Sequence, residues 1–430
     1  ELVKKSEIPR DNKVVQEGNE LQLPGNEPEE TFTVTLGDVI SRDPAAIGRS
    51  TVVLKATSDR WPKNKLVIKI SWPGSGRVPE TDFLKKAYAE AEKTDGQWAT
   101  KHLPRVFYAK DVVFEKDSAF ESVANLFKDA QFVNGNYVYE RRALRIIIQE
   151  QLVPIKSLSN ARDICQVFTD IACTHRWLHD CPGILHRDLS KNNIMCRYIE
   201  EVNAKGEREQ QVYGVLTDYD LSSWTKDLKT DYTRTSEQRT GTPPYMAQEL
   251  LKGTSTTHLY RHDVESLFYI MLLMCGRHTF GHAKGGTGEE TKRQVVMREG
   301  DLPYEDWFKA PNYATLGKNK SSFFLDTEDI ELSPAFEDFR TWLQSLQIAF
   351  FEGFALKSIY VGRRRGREYS GGSACEVASF DDETLGGCIH YSSLINPIRQ
   401  LTGELEGVTI RYDPVQVSPP TSTSAAHPDA

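Results

Sequence analysis

Cysteine is scarce and unpatterned: the chain has seven in 430 residues, none in a Cys-x-x-Cys spacing. That excludes the common zinc-ribbon and disulfide frameworks and predicts reduced thiols, as in a cytoplasmic or nuclear protein. Long apolar runs are also missing. None approaches the ~18 residues a membrane-spanning helix needs, and the most apolar stretch, Val264 to Cys275, predicts a buried helix. No signal-peptide pattern is read from Glu1 onward. Positive charge is in deficit. With 53 basic against 61 acidic residues the net charge is −8, which argues against a nucleic-acid binder. His175 and His179 share one helix face but have no cysteine or carboxylate at ligand spacing, so they predict helix-surface or core-edge positions rather than a metal site. The one basic knot, Arg363-Arg364-Arg365-Gly366-Arg367, predicts a solvated loop.

An apolar content of 39% and a charged content of 27% are ordinary for a globular chain long enough for two domains or lobes. Residues 1–30 are polar and aperiodic, which predicts a flexible lead-in. Residues 411–430, Ser/Pro/Thr-rich from Ser418, predict a low-complexity tail. Residues 31–155 alternate short β-branched and aromatic runs with turns, giving strands near 31–39, 51–57, 66–71, 105–114 and 144–152. One helix near 79–93 interrupts them, with Phe83, Leu84, Ala87 and Tyr88 on one face. From 156 to 410 the period becomes helical, through Ile164, Phe168 and Ile171 and later Phe336, Phe339, Leu343 and Phe350. The expected class is α+β: a small β-rich part with one helix, then a larger helical part, with a cleft between them as the usual place for a ligand.

Chemistry concentrates in three segments of the helical part. The first contains His186-Arg187-Asp188 with Asn193 five places after the aspartate, flanked by the apolar pairs Ile184-Leu185 and Ile194-Met195. This is the His-Arg-Asp-x-x-x-x-Asn catalytic loop of protein kinases. Asp188 would accept or orient the proton of an acceptor hydroxyl, and Asn193 would turn back to hold Mg²⁺ on the phosphates of ATP. In the second, the strand Val215-Leu216 delivers Asp218-Tyr219-Asp220 where kinases carry Asp-Phe-Gly. Asp218 would chelate Mg²⁺, Tyr219 would take the packing role of the Phe, and Asp220 replaces the Gly, restricting the backbone. Between these segments, residues 200–210 predict an enlarged, solvated hairpin loop. The third, Gly241-Thr-Pro-Pro-Tyr-Met-Ala-Gln248-Glu249, matches Gly-Thr-x-x-Tyr-x-Ala-Pro-Glu except at Gln248. Thr242 would face Asp188 and favour Ser or Thr acceptors, and Glu249 would form an ion pair with an Arg that spacing does not identify. Asp263 would cap the helix that follows and brace the catalytic loop.

The β-rich part carries less. Leu66-Val-Ile-Lys69 resembles the Val-Ala-Ile-Lys strand, so Lys69 would hold the α- and β-phosphates. Its carboxylate partner is Glu80 or Glu90, and Glu80 is favoured because Leu84, four residues on, faces the core. The phosphate-covering loop keeps a single glycine, Gly48, followed by Val52, which implies a stiffer lid. Adenine is expected near Glu150 to Leu152.

Lys69-Ile-Ser-Trp72, His186 to Ser190, Asp218 to Asp220 and Arg261-His-Asp-Val-Glu-Ser-Leu-Phe-Tyr269 together resemble the fungal-specific protein-kinase-like family, as do Trp307, Lys318 to Phe323 and the Trp342 helix. The resemblance spans about residues 30–410. It implies a bilobal kinase fold, with an N-lobe at 31–155 and a C-lobe at 156–410, ATP and Mg²⁺ as cofactors, and a protein substrate, with no role for membrane or nucleic acid. The expected activity is serine/threonine phosphotransfer from ATP. Two alternatives stand beside it. One is a pseudokinase scaffold, suggested by the single-glycine lid, Asp220 and Gln248. The other is a small-molecule kinase, which Gly241 to Glu249 argues against. Thr230, Thr233, Thr235, Ser236 and Thr240 are the candidate phosphoacceptors that would pair with Arg187.

Overall fold

The computed structural model describes residues 18–25, 27, 30–42, 50–93, 95–112, 142–202, 205–227, 241–255, 257–282, 292–325, 329–369 and 379–413. The chain divides into two compact units. One comprises residues 1–89, 103–153 and 217–222, and the other residues 90–102, 154–216 and 223–430.

The first unit is built on an antiparallel sheet of six strands: β1 (Glu20–Pro24), β2 (Thr31–Arg42), β3 (Val52–Thr57), β4 (Leu66–Ser71), β5 (Val106–Val112) and β6 (Leu144–Glu150), in spatial order β1-β2-β3-β4-β6-β5. The helix α1 (Glu80–Lys93) follows β4. Alternation decides what β4 presents. Leu66, Ile68 and Ile70 join the cluster of Val34, Leu36, Leu54 and Ile148 on one face, so Lys69, paired with Val53 and Ile147, lies on the other. Phe83, Leu84 and Ala87 of α1 are buried at the predicted spacing. Residues 20–24 depart from the expected flexible lead-in. They pair with Thr31–Thr35 of β2 and bury Leu23, because the Leu21-Gln22-Leu23 alternation suffices once β2 supplies an edge.

In the second unit, after β7 (Val153–Pro154), where the chain passes between the units, α2 (Ala161–Asp180) starts at Asn160, whose side chain accepts the Asp163 N–H at 2.8 Å. Two short pairings follow. β8 (Ile184–Leu185) lies against β11 (Ser223–Trp224), and β9 (Ile194–Val202) forms a hairpin with β10 (Arg208–Leu216). The helices α3 (Gln248–Lys252) and α4 (Tyr260–Arg277), the hairpin β12 (His278–His282) and β13 (Arg293–Met297), and the helices α5 (Glu305–Lys309), α6 (Tyr313–Leu325), α7 (Arg340–Tyr369) and α8 (Tyr391–Ile398) complete it. As expected for Val264–Cys275, every residue of α4 is buried. Phe268 stacks on Phe324, 5.7 Å between ring centroids, and contacts Phe350 of α7 at 5.9 Å.

Three further expectations change. Arg363–Arg365 lie on α7, not in a loop, since the helix runs through Gly366 to Tyr369; these residues remain solvent-facing. The 200–210 stretch does lie in a hairpin, but the strands reach further into it than expected, through 200–202 and 208–210, and Glu201 bonds Lys101 and the Tyr213 hydroxyl, both at 2.5 Å. Cross-strand pairing recruits these polar residues because the apolar stem, Ile194 to Cys196 against Gly214 to Leu216, continues outward in register. His175 is a core residue, 2% exposed.

The contact of α2 with β10 requires glycine at one point. A Cβ on Gly214 would meet the Val167 carbonyl oxygen at 2.7 Å. Its N–H donates to Asp170 at 2.9 Å, and its carbonyl meets the His102 ring at 2.7 Å. Gly214→Ala should therefore cost about 1–3 kcal/mol through overpacking, read as a lower denaturation midpoint at unchanged slope. An unaltered midpoint would show that α2 can move aside.

Candidate active site

In the first unit, Lys69 sits among three carboxylates. Its Nζ is 3.0 Å from Glu80 Oε1, 2.8 Å from Asp218 Oδ1 and 2.8 Å from Asp220 Oδ2. Lys69, Glu80 and Asp220 are each about 5% exposed, so the charges interact at low dielectric. Burial works against the Lys69 charge, but Asp218, Asp220 and Glu80 outweigh it and hold its pKa well above the ordinary lysine value. Burial and the Asp220 charge raise the Glu80 carboxyl to about 7, with Lys69 opposing. The Tyr219 N–H donates to Glu80 at 3.2 Å, and the Tyr219 ring is fully buried in the packing position. Asp218 itself takes a left-handed backbone, φ 65°, unusual for a residue with a Cβ. The carboxylate oxygens of Glu80, Asp218 and Asp220 lie within 4.8 Å of one another, a set of hard oxygen donors that fits a divalent cation.

The other predicted nucleotide contacts are less complete. Val52 opens β3 opposite Ile70, Glu150 closes β6 and accepts the Arg105 N–H at 2.9 Å, and Leu152 just beyond is buried. Gly48 lies outside the described residues, as do Thr230, Thr233, Thr235, Ser236 and Thr240.

In the second unit, the catalytic-loop segment is held from behind by Asp263. Its carboxylate accepts the Arg187 N–H at 3.0 Å and meets His175 Nε2 at 2.9 Å and His258 Nε2 at 2.7 Å. Arg187, at φ 69°, is held in a left-handed conformation by that bond. Burial disfavours the Asp263 charge, but His258 and His175 outweigh it and the carboxyl stays far below its usual range. The helix start is closed by His262 rather than by Asp263. Its Nδ1 accepts the Leu259 N–H at 3.0 Å, and burial pushes its pKa down to about 3. Within the loop, Asn193 Nδ2 donates to the Asp188 carbonyl at 2.8 Å, and the Thr242 hydroxyl donates to Asp188 Oδ1 at 3.3 Å. The five-residue spacing thus folds Asn193 back onto Asp188 through the 3₁₀ turn Lys191–Asn193.

Gln248, the departure from the kinase pattern, and Glu249, which matches it, both have structural partners. Gln248, standing where proline is usual, donates its backbone N–H to the buried Glu265 at 2.7 Å, a bond proline cannot make. Glu249 takes Arg261 of α4 and Lys357 of α7, the latter at 2.7 Å. Burial opposes the Glu249 charge, but the His262 ring, Arg261 and Lys357 prevail and its carboxyl falls well below the usual range. Sequence reasoning missed Arg261, Glu265 and Lys357. A signal existed for the first two: a cation and a carboxylate inside an otherwise apolar helix must be paired to be buried.

A model of the family described as fungal protein kinase matches residues 2–275. The chain is also 37% identical over 99 residues to the dual specificity protein kinase splA of Dictyostelium discoideum, a stretch that is 23% of this chain and 4% of that protein. The chain thus spans a small fraction of the length of that relative.

Glu249→Gln leaves the buried Arg261 and the partly exposed Lys357 short of a charge, so it should cost about 3–5 kcal/mol near neutral pH. The sign with pH follows from the depressed native pKa. The carboxylate's contribution is fully present above its unfolded value of about 4.5 and is lost as pH falls below it. Urea unfolding from pH 7 to 3 should show the gap between wild type and variant closing below pH ~4.5. A gap that stays constant would mean the pair contributes through packing alone.

Proposed function

Because the chain belongs to the fungal protein kinase family, we propose that it is a bilobal, ATP- and Mg²⁺-dependent protein kinase that transfers the γ-phosphoryl of ATP to a serine or threonine hydroxyl. The observation that carries this is the Thr242–Asp188–Asn193 arrangement. A carboxylate 3.3 Å from a threonine hydroxyl is within reach of an acceptor oxygen entering from the same side, and a backbone bond holds the neighbouring carboxamide in place. Asp188 orients the acceptor hydroxyl and takes its proton. Lys69, fixed by Glu80, is the cation for the α- and β-phosphates, with Val52 in the phosphate-covering segment and Glu150 and Leu152 toward the base. Asp218 and Asn193 would hold Mg²⁺, which supplies charge neutralisation on the phosphates when bound. Positioning and electrostatics suffice for this chemistry, since in-line phosphoryl transfer needs no covalent protein group.

A second reading, a scaffold that binds nucleotide without turnover, draws support from Asp220. Its carboxylate occupies Lys69 at 2.8 Å, and a nucleotide must compete with it.

Autophosphorylation with labelled ATP and Mg²⁺ separates the two. Wild type should incorporate label, and Asp188→Ala and Asp218→Ala should each lower incorporation by about 10²–10⁴-fold. Nucleotide binding by wild type without transfer to any protein would move the assignment to the scaffold.

Asp220→Gly removes one of the carboxylates competing for Lys69. It should tighten ATP binding by about tenfold, worth ~1.4 kcal/mol. Titration calorimetry giving equal affinity for both proteins would show that Asp220 does not restrain Lys69.

A further inference from the structure

The segment from Thr242 to Glu249 is tied down at its start by Thr242 on Asp188 and at its end by Gln248 and Glu249 on α4. Its middle is held by one side chain that the chemistry above does not use. Lys320 of α6 is completely buried, 0% exposed. Its Nζ donates to the carbonyl oxygens of Pro244 at 3.0 Å and Met246 at 2.6 Å. The same nitrogen lies 3.7 Å from the centroid of the Tyr269 ring and 5.2 Å from that of Trp307. The next residue of α6, Ser321, bonds the Gln248 side chain, and Lys252 reaches Ser321 at 2.9 Å.

A buried lysine is costly unless its N–H groups are used and its charge is faced by electron-rich groups. Here both conditions are met by the segment itself and by two aromatic rings. Burial lowers the Lys320 pKa well below the ordinary value, with Glu265 acting against that. Either protonation state keeps at least two N–H groups, enough for both carbonyls. A methionine of similar length would fill the same space without that desolvation cost, so stability alone does not explain the lysine. What the lysine adds is direction: it fixes two alternate carbonyl positions, Pro244 and Met246, near the hydroxyl that touches Asp188.

We infer that Lys320 is the positioning residue for the protein acceptor, setting the Thr242–Glu249 segment as the docking platform beside Asp188. The inference rests on the protein-kinase reading above. Its role is exerted through the segment, since Lys320 itself is sealed from solvent and touches no substrate. Loss of the clamp lets the platform drift while leaving the nucleotide groups Lys69, Glu80 and Asp218 as they are.

Lys320→Met and Lys320→Gln test this, the second returning a shorter N–H donor. In Lys320→Met the KM for a protein acceptor should rise about tenfold or more, since a misplacement of about an ångström costs on that order. The KM for ATP and acceptor-free ATP hydrolysis should stay within about twofold, and the thermal midpoint should not fall. Lys320→Gln should lie between wild type and Lys320→Met, and it carries the kinetic test by itself where the methionine variant fails to fold. Independently of any turnover, hydrogen exchange at the Met246 to Glu249 amides should be faster in both variants. Unchanged exchange overturns the inference whether or not the wild type transfers phosphate, and an acceptor KM equal to wild type overturns it in an active enzyme. Wild type that exchanges as expected but transfers no phosphate leaves the clamp standing and removes the kinase reading instead.

Discussion

The carboxylate of Asp263 is the constraint on which the larger unit is organised. It is fully buried, a placement that costs several kcal/mol for an ion without partners. It survives there because three donors from separate segments converge on it: His175 from α2, His258 from the turn before α4, and the backbone of Arg187. The same convergence positions the loop carrying Asp188. The strained φ of Arg187 is stable because the bond to Asp263 compensates it. Stability and chemistry are therefore coupled through one charge. Whatever neutralises Asp263 weakens its hold on the loop at Arg187 and on the two histidines.

A second pattern recurs around the acceptor-side segment. The one departure from the usual kinase pattern there, Gln248, is matched by a partner that uses it, and its neighbours are paired as closely. Gln248 has an N–H where proline would have none, and Glu265 accepts it. Glu265 is in turn bonded by the Tyr269 hydroxyl at 2.6 Å, while the Tyr269 ring faces Lys320. Glu249 is shared between Arg261 and Lys357. These side chains form one buried polar network, and such networks are stable only when nearly every member is satisfied. In the smaller unit the balance is different. Three carboxylates gather around one ammonium, and burial together with the Asp220 charge raises Glu80 toward neutral pH.

Legibility in the sequence followed sequence distance. Glu80 against Lys69, eleven residues apart, could be chosen over Glu90 because helical periodicity showed which carboxylate shares the face of Leu84. Asn193 folding onto Asp188 followed from a local spacing. Burial of Val264 to Cys275 followed from composition alone. The strand at Glu20–Pro24 was hidden because a short polar-flanked alternation carries no signal until a neighbour pairs with it. Arg363–Arg365 were misread because charge predicts solvent but does not distinguish a loop from the exposed face of a long helix.

The sequence by itself determined the order of strand-rich and helical parts, the residues of the Asp188 loop and the Asp218 strand, and the family resemblance. All of these are encoded by period and short-range spacing. Only the tertiary structure decided that Asp263 is bonded by His175 and His258, that Asp220 turns its carboxylate onto Lys69, that Glu249 finds Arg261 and Lys357, and that Lys320 grips the backbone of Pro244 and Met246. Partners as far apart in the chain as Lys69 and Asp220 are brought together by packing of apolar faces. Packing fixes which polar groups must satisfy one another, whereas sequence spacing constrains only near neighbours.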